Sequence, residues 1–291
     1  MPELMVINGE YMTPAEGRVS AEDRGFTFAD GVYEVMRIYG GVAFTLREHL
    51  ERLERSASGI DLQLPHTVSG LEAQMTELVD RAGLPEAMLY LQVTRGAAPR
   101  NHLYADSLAP TVMAFVRPGP PRPEAWNRDG AMALPMPDTR GTMCNLKTIA
   151  LLPSVLAKNR AVRAGGAEAL FHLEDGTVTE GSSSNAYAVR DGEVWTAPLS
   201  HKILPGITRM QLVALCQEMG IRLHEQALTL REFEEADEII MSATNLELLP
   251  VTRLGARPIG AGKPGPVYRR LCEAYRERVR TACGAMAAET R

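Results

Sequence analysis

The first readable pattern along the chain is Met5-Val-Ile-Asn-Gly-Glu-Tyr-Met12, two short apolar runs around Asn8-Gly9. Asn-Gly suits the positive backbone dihedrals of a tight hairpin turn, so a strand pair is expected there. The stretch from Val32 to Leu46 repeats the arrangement with Gly40-Gly41 at its turn. Leu46, Leu50, Leu53 and Ala57 then fall on one helical stripe. A second helix is expected over residues 69–82. Ala87 to Arg95 alternates: Leu89, Leu91 and Val93 share one face, and Tyr90, Gln92 and Thr94 the other. After a loop from Gly96 to Asp106, Thr111 to Val116 reads as a strand.

Residues 149–163 read as a helix stopped by Gly165-Gly166. Ala169 to Leu173 is an expected strand that turns at Glu174-Asp175-Gly176. Val178-Thr-Glu-Gly-Ser-Ser-Ser-Asn185 comes next. A carboxylate, a glycine, three hydroxyls and an amide offer little to an apolar core, and by themselves suggest a turn. A strand at Ala186 to Val189, a turn at Asp191-Gly192 and a short strand at Val194-Trp195 follow. A helix over 207–219 starts after Pro205-Gly206 and stops at Gly220; a strand at Glu238 to Met241 leads into Ser242-Ala-Thr-Asn245. A helix over 265–282 closes the pattern. Between the halves, Arg117 to Glu124 holds four prolines and a glycine, which excludes helix and central strand. It is read as a linker between an N-terminal domain, 1–116, and a C-terminal domain, 125–291. Strands, helices and hairpins interleave throughout, which predicts a mixed α/β (α+β) fold with largely antiparallel or mixed sheets.

Composition narrows the partners. An apolar share of 45% over 291 residues supports a substantial core. A net charge of −5 gives no electrostatic reason to expect nucleic acid or an anionic membrane. The chain contains no apolar run of membrane-spanning length, and it opens on acids rather than a basic, apolar leader. A cytoplasmic protein is therefore expected. Cys144, Cys216, Cys272 and Cys283 have neither CxxC spacing nor a histidine cluster, so neither a metal site nor a disulfide framework is expected.

Candidate chemistry sits in the polar punctuation. Leu204-Pro-Gly-Ile-Thr-Arg209 runs a glycine turn into a helix, whose first N–H groups suit an anion or merely start a helix. Ser242-Ala-Thr-Asn245 is small and polar at a strand's end, as ordinary turns are. Lys147 precedes an apolar stretch and could form a Schiff base, although most lysines are solvated. Arg100 and His102 could clamp a carboxylate, although such pairs are common on surfaces. The other five histidines offer no constellation. Each signal alone is weak, but their order is informative. A lysine, a carboxylate (Glu180) 33 residues later and then a glycine-led helix start are what a phosphorylated pyridine aldehyde needs.

In this order the motifs Cys144-Asn-Leu-Lys-Thr148, Val178 to Asn185 and Leu204 to Arg209 resemble those of the fold-type IV pyridoxal-phosphate aminotransferases. Within them the chain most resembles the branch acting on D-amino acids, and the likeness runs from the FADGVYEVMRIYGG stretch to IGAGKPGPVYRRL. The resemblance implies a two-domain fold-type IV architecture, pyridoxal 5'-phosphate as cofactor, and transfer of an amino group from a D-amino acid to a 2-oxo acid. It implies Lys147 as the Schiff-base lysine and Glu180 as partner of the ring nitrogen. Arg52, Ile207, Thr208, Ala243 and Thr244 are implied around the phosphate, and Leu204 against the ring. Tyr33, Arg100 and His102 are implied as a trap for the substrate α-carboxylate. The family brings Arg100 and His102 from a neighbouring subunit, so a homodimer is implied. Branched-chain L-amino-acid and (R)-amine transaminases and aminodeoxychorismate lyases share the core motifs. The branched-chain enzymes carry Tyr-x-Arg where this chain has Tyr90-Leu-Gln92.

Overall fold

Both residues of the Asn8-Gly9 turn take positive φ, 48° and 88°, and join β1 (Leu4–Ile7) to β2 (Glu10–Met12). Helix α1 (Arg24–Phe28) leads into β3 (Gly31–Tyr39), which Gly40 and Gly41 turn into β4 (Val42–Ala43). Helices α2 (Leu46–Ser58) and α3 (Val68–Ala82) and strands β5 (Glu86–Thr94) and β6 (Thr111–Arg117) follow. The sheet order is β2-β1-β6-β5-β3-β4, antiparallel throughout. Leu89, Leu91 and Val93 of β5 are fully buried and share a core with Leu50 and Leu53 of α2 and Leu71 of α3. The helical stripe and the strand alternation are therefore two sides of one interface.

This computed structural model describes residues 4–119 and 123–284. They divide into two compact units: 4–119 with 146–150 and 279–284, and 123–145 with 151–278. Residues 120–122 of the expected linker lie outside the described residues. Segment 146–150 joins the first unit because β3 has an open edge: β4 pairs it only at Ile38 and Tyr39. There the Tyr33 N–H donates to the Lys147 carbonyl at 3.0 Å, and the Ile149 N–H to the Gly31 carbonyl at 3.1 Å. A Cβ on Gly31 would stand 2.7 Å from the Val93 carbonyl oxygen and 3.1 Å from Ile149 Cδ1. Backbone cannot yield as a side chain can. Gly31→Ala is therefore expected to cost about 1–3 kcal/mol, read as a lowered urea midpoint with an unchanged slope.

The second unit runs α4 (Ala125–Asp129), β7 (Ala131–Pro137), α5 (Leu152–Arg163), β8 (Glu168–His172), β9 (Val178–Gly181), β10 (Asn185–Arg190) and β11 (Glu193–Thr196). It continues with α6 (Ile207–Glu218), β12 (Leu223–Glu225), α7 (Leu230–Glu234), β13 (Glu238–Ala243), β14 (Glu247–Leu254), β15 (Arg257–Pro258) and α8 (Pro266–Cys283). Only the residues of α8 up to Arg278 belong to this unit. The sheet order is β12-β11-β10-β13-β14-β7-β8-β9, with β15 beside β14. β7 runs parallel to both neighbours and β12 parallel to β11, so the sheet is mixed, as expected. Helix α5 begins at Leu152 rather than 149. Residues 147–149 are held on β3, and Pro153 suits a helix's first turn, where its missing N–H is no loss.

Five strands here were not expected: β9 begins the stretch that read as a turn, β12 and β15 are short, and β7 and β14 both contain proline, which argues against a central strand. In β7 the Met132 carbonyl accepts from Ala167 on the β8 side, and the Ala133 carbonyl from Gly255 on the β14 side. Backbone groups alternate sides, so Pro135 and Pro137 face the β14 side, where pairing has already ended at Ala133. Pro250 likewise precedes the first β14–β7 pair, Val251 with Ala131. Among the described residues no helix is long and apolar enough to cross a membrane.

Candidate active site

In the first unit the backbone of Lys147 is pinned on both sides. Its N–H donates to Ser56 Oγ at 3.0 Å, and its carbonyl accepts from Tyr33. Next to it, the Leu146 side chain packs directly over Gly59, at the end of α2, where a Cβ would stand 2.6 Å from Leu146 Cδ2. The half-buried Lys147 side chain places Nζ 4.2 Å from the centre of the Tyr33 ring. A short anchored segment thus presents one amine over an aromatic face.

Below it lies a buried ionic cluster. Glu34 occupies a core-facing position of β3, between Val32 and Met36, and is fully buried. Arg52 of α2 grips it through Nε and Nη2, each at 2.7 Å, and His49 Nδ1 lies 2.6 Å from its Oε2. Burial alone would raise the Glu34 carboxyl, but the Arg52 guanidinium and His49 overrule it and hold it at about 2. Burial lowers His49, against the pull of Glu34.

In the second unit Glu180 is a buried residue of β9 surrounded by donors. Arg140 Nη1 donates to Oε1 at 2.5 Å, while Asn185 Nδ2 and the Leu204 N–H donate to Oε2 at 2.9 and 3.1 Å. Arg140 is itself held by Asp138 through Nε and Nη2, at 3.0 and 2.8 Å. Burial pushes Glu180 up to about 7, and Arg140 and the Leu204 N–H pull against it. Burial also works against the charge on Arg140, yet Asp138 and Glu180 leave it more firmly protonated than usual. The geometry favours the ion pair, since each of these three partners of Glu180 can only donate.

Asn185 ties this carboxylate to the start of α6. Its amide also donates to the Leu204 carbonyl at 2.9 Å, and its Oδ1 lies so close to Gly206 that no Cβ fits there. Gly206 is the N-cap and supplies no side-chain cap, and Ile207 and Thr208 begin the helix as buried residues. Asn185 also pairs across the sheet with Ser242, next to Ala243 and Thr244 at the β13–β14 turn. Glu180, Leu204, the α6 start and the Ser242–Thr244 turn are therefore neighbours in one unit. A twelve-residue helix with bare leading N–H groups fits a phosphate, and a buried carboxylate among donors fits a pyridine nitrogen.

The Amino-transferase class IV family profile matches residues 31–254, most of the chain. The chain is a class IV aminotransferase. It is 42% identical to the D-alanine aminotransferase of Bacillus licheniformis over 267 residues, 92% of this chain and 94% of that one. The D-alanine aminotransferase of Staphylococcus haemolyticus is 41% identical, over 92% and 95% of the two chains. Among solved structures, the Escherichia coli branched-chain amino acid aminotransferase superposes with a TM-score of 0.90 at 25% identity, covering 100% of this chain and 98% of that one. The branched-chain amino acid aminotransferase of Thermoproteus uzoniensis, solved with norvaline, gives 0.85 at 28% identity, covering 98% and 96%.

The structure does not bring all the expected residues of this aminotransferase together. Arg100 stacks its guanidinium over Phe28 at 4.9 Å, and the His102 ring lies 5.4 Å from the same phenyl. Both are exposed, and no hydrogen bond, ion pair or ring contact among the described residues joins them to Tyr33 or Lys147. Tyr33 stacks instead on Tyr90, whose hydroxyl donates to Gln92 Oε1 at 2.8 Å. The structure adds residues that the sequence reading passed over: Ser56, Glu34 and His49 in the first unit, Arg140 and Asn185 in the second. Glu34 carried a signal, since a carboxylate at core-facing parity in a strand requires a buried cation.

Proposed function

We propose that this aminotransferase moves the amino group of a D-amino acid, such as D-alanine, to a 2-oxo acid such as 2-oxoglutarate, as a cytoplasmic homodimer. Class IV aminotransferases use pyridoxal 5'-phosphate, which when bound supplies the electron sink for a carbanion at the substrate Cα. Lys147 is the base that takes the Cα proton and returns it. Glu180 would pair with the ring nitrogen of the bound cofactor, and Arg140 and Asn185 hold its carboxylate in place. Ile207, Thr208, Ala243, Thr244 and Arg52 would hold the cofactor's phosphate, and Leu204 would pack against its ring. Tyr33, with Arg100 and His102 of a second copy, receives the α-carboxylate.

The observation that carries the substrate reading is Gln92. Where the branched-chain enzymes place an arginine, this chain has an amide already engaged by Tyr90, so that strand offers no cation to a carboxylate. Relatives named D-alanine aminotransferase cover nearly the whole chain at about 40% identity, which supports the same choice. D-alanine, L-leucine and an (R)-amine, each offered with 2-oxoglutarate, separate the readings; turnover of L-leucine alone would overturn this one. Arg100→Ala is expected to raise KM for D-alanine by roughly 10–100-fold, the worth of one charge-assisted hydrogen bond, with a smaller change in kcat. An unchanged KM would remove Arg100 from the trap.

A further inference from the structure

Of the three serines that follow Glu180, Ser182 and Ser184 are buried and Ser183 is exposed, yet none spends its hydroxyl on another serine. All three converge on Glu168, a fully buried carboxylate at the start of β8. Ser182 Oγ donates to Oε1, and Ser183 and Ser184 Oγ donate to Oε2 at 2.8 and 3.3 Å. The Ala169 N–H adds a bond to Oε1 at 2.9 Å, and Lys158 Nζ adds one to Oε2 at 3.1 Å. Five donors meet a group with about four acceptor sites, so Glu168 is saturated. The loop is drawn tight as well. The Gly181 N–H donates to the Ser184 carbonyl at 2.6 Å, the Ser182 N–H to the Ala169 carbonyl at 3.2 Å, and Ser184 leaves no room for a Cβ on Gly181.

The geometry points to Glu168 as the positioning residue for Glu180: by fixing three successive side chains of the loop, it sets Glu180 against Asn185 and the Leu204 N–H. The loop is the only covalent path between Glu180 and Asn185, so its register decides whether the two can meet. One hydroxyl on a carboxylate would leave the loop free to pivot, whereas three in a row do not. The inference rests on the reading of Glu180 as partner of the ring nitrogen, and its first test needs no cofactor.

Amide hydrogen exchange on the full, cofactor-free chain compares wild type with Glu168→Gln, whose amide offers one oxygen and two donors. Exchange at Gly181, Ser182 and Leu204 should rise by roughly tenfold or more, as expected when one or two buried hydrogen bonds are lost. Leu204 decides the matter, because its N–H donates to Glu180 itself. Faster loop exchange with Leu204 still protected would make Glu168 merely structural and overturn the inference, as would no change anywhere. If Glu168→Gln does not fold, Ser182→Ala with Ser184→Ala leaves the carboxylate in place and is held to the same result. In the loaded enzyme, Glu168→Gln should shift the pH profile of the cofactor's visible absorption in the direction that Glu180→Gln does. A wild-type profile in Glu180→Gln would sink the ring-nitrogen reading and leave exchange at Leu204 to judge Glu168.

Discussion

Lys147→Ala is expected to remove nearly all turnover of D-alanine with 2-oxoglutarate while leaving the protein folded. Loss of one positioned base is worth roughly 10²–10⁴-fold in kcat. The fold should tolerate the change because what anchors this segment is backbone: the Lys147 N–H on Ser56, its carbonyl on Tyr33, and Ile149 on Gly31. The side chain beyond Cβ is half-buried and makes one ring contact, with Tyr33. Thermal midpoints of wild type and variant should therefore agree within a few degrees while kcat collapses. Lys147→Arg is the sharper companion. It keeps a cation that can lie over Tyr33, but a guanidinium does not give up its proton near neutral pH and cannot act as a base. It should be as inactive as the alanine variant. Activity within tenfold of wild type in either variant would take the proton-transfer role away from Lys147.

What the sequence disclosed follows from the range of the interactions involved. Asn8-Gly9, Gly40-Gly41 and Asp191-Gly192 each take positive φ at both residues, a requirement met within two positions and visible as such. The stripe Leu46, Leu50, Leu53, Ala57 needed only helical periodicity. β7 and β14 stayed hidden because proline argues against a central strand unless the neighbour's extent is known, and that extent is a tertiary fact. The site divides in the same way. Lys147 and Glu180 were legible through motif order. Arg140 was not, since it meets Glu180 across 40 residues and nothing near it in the chain asks for a carboxylate. The serine run by itself suggests only a turn. It orders the loop through Glu168, which sits 14 to 16 residues earlier.

Glu34→Gln is expected to cost the protein about 3–5 kcal/mol at neutral pH, the usual penalty for leaving a buried charge without its partner. The amide keeps the shape of the side chain but cannot neutralise Arg52, which is itself buried. The sign of the pH dependence follows from the pKa. Glu34 is held at about 2 against an ordinary 4.5, so the folded state prefers its charged form. Its contribution is complete above pH 4.5, is lost as pH falls towards 2, and amounts to about 3 kcal/mol at roughly 1.4 kcal/mol per pH unit. His49, lowered by burial, acts in the same direction from higher pH, because acidification must charge a group the fold keeps neutral. Urea denaturation of wild type and Glu34→Gln at pH 7 and at pH 3 separates the terms. The gap between the two proteins should be wide at pH 7 and narrower at pH 3, because the wild type loses part of the Glu34 contribution while the variant has none to lose. A gap of equal size at both pH values would mean that the carboxylate's charge is not what stabilises this cluster, and that Glu34 acts through packing alone.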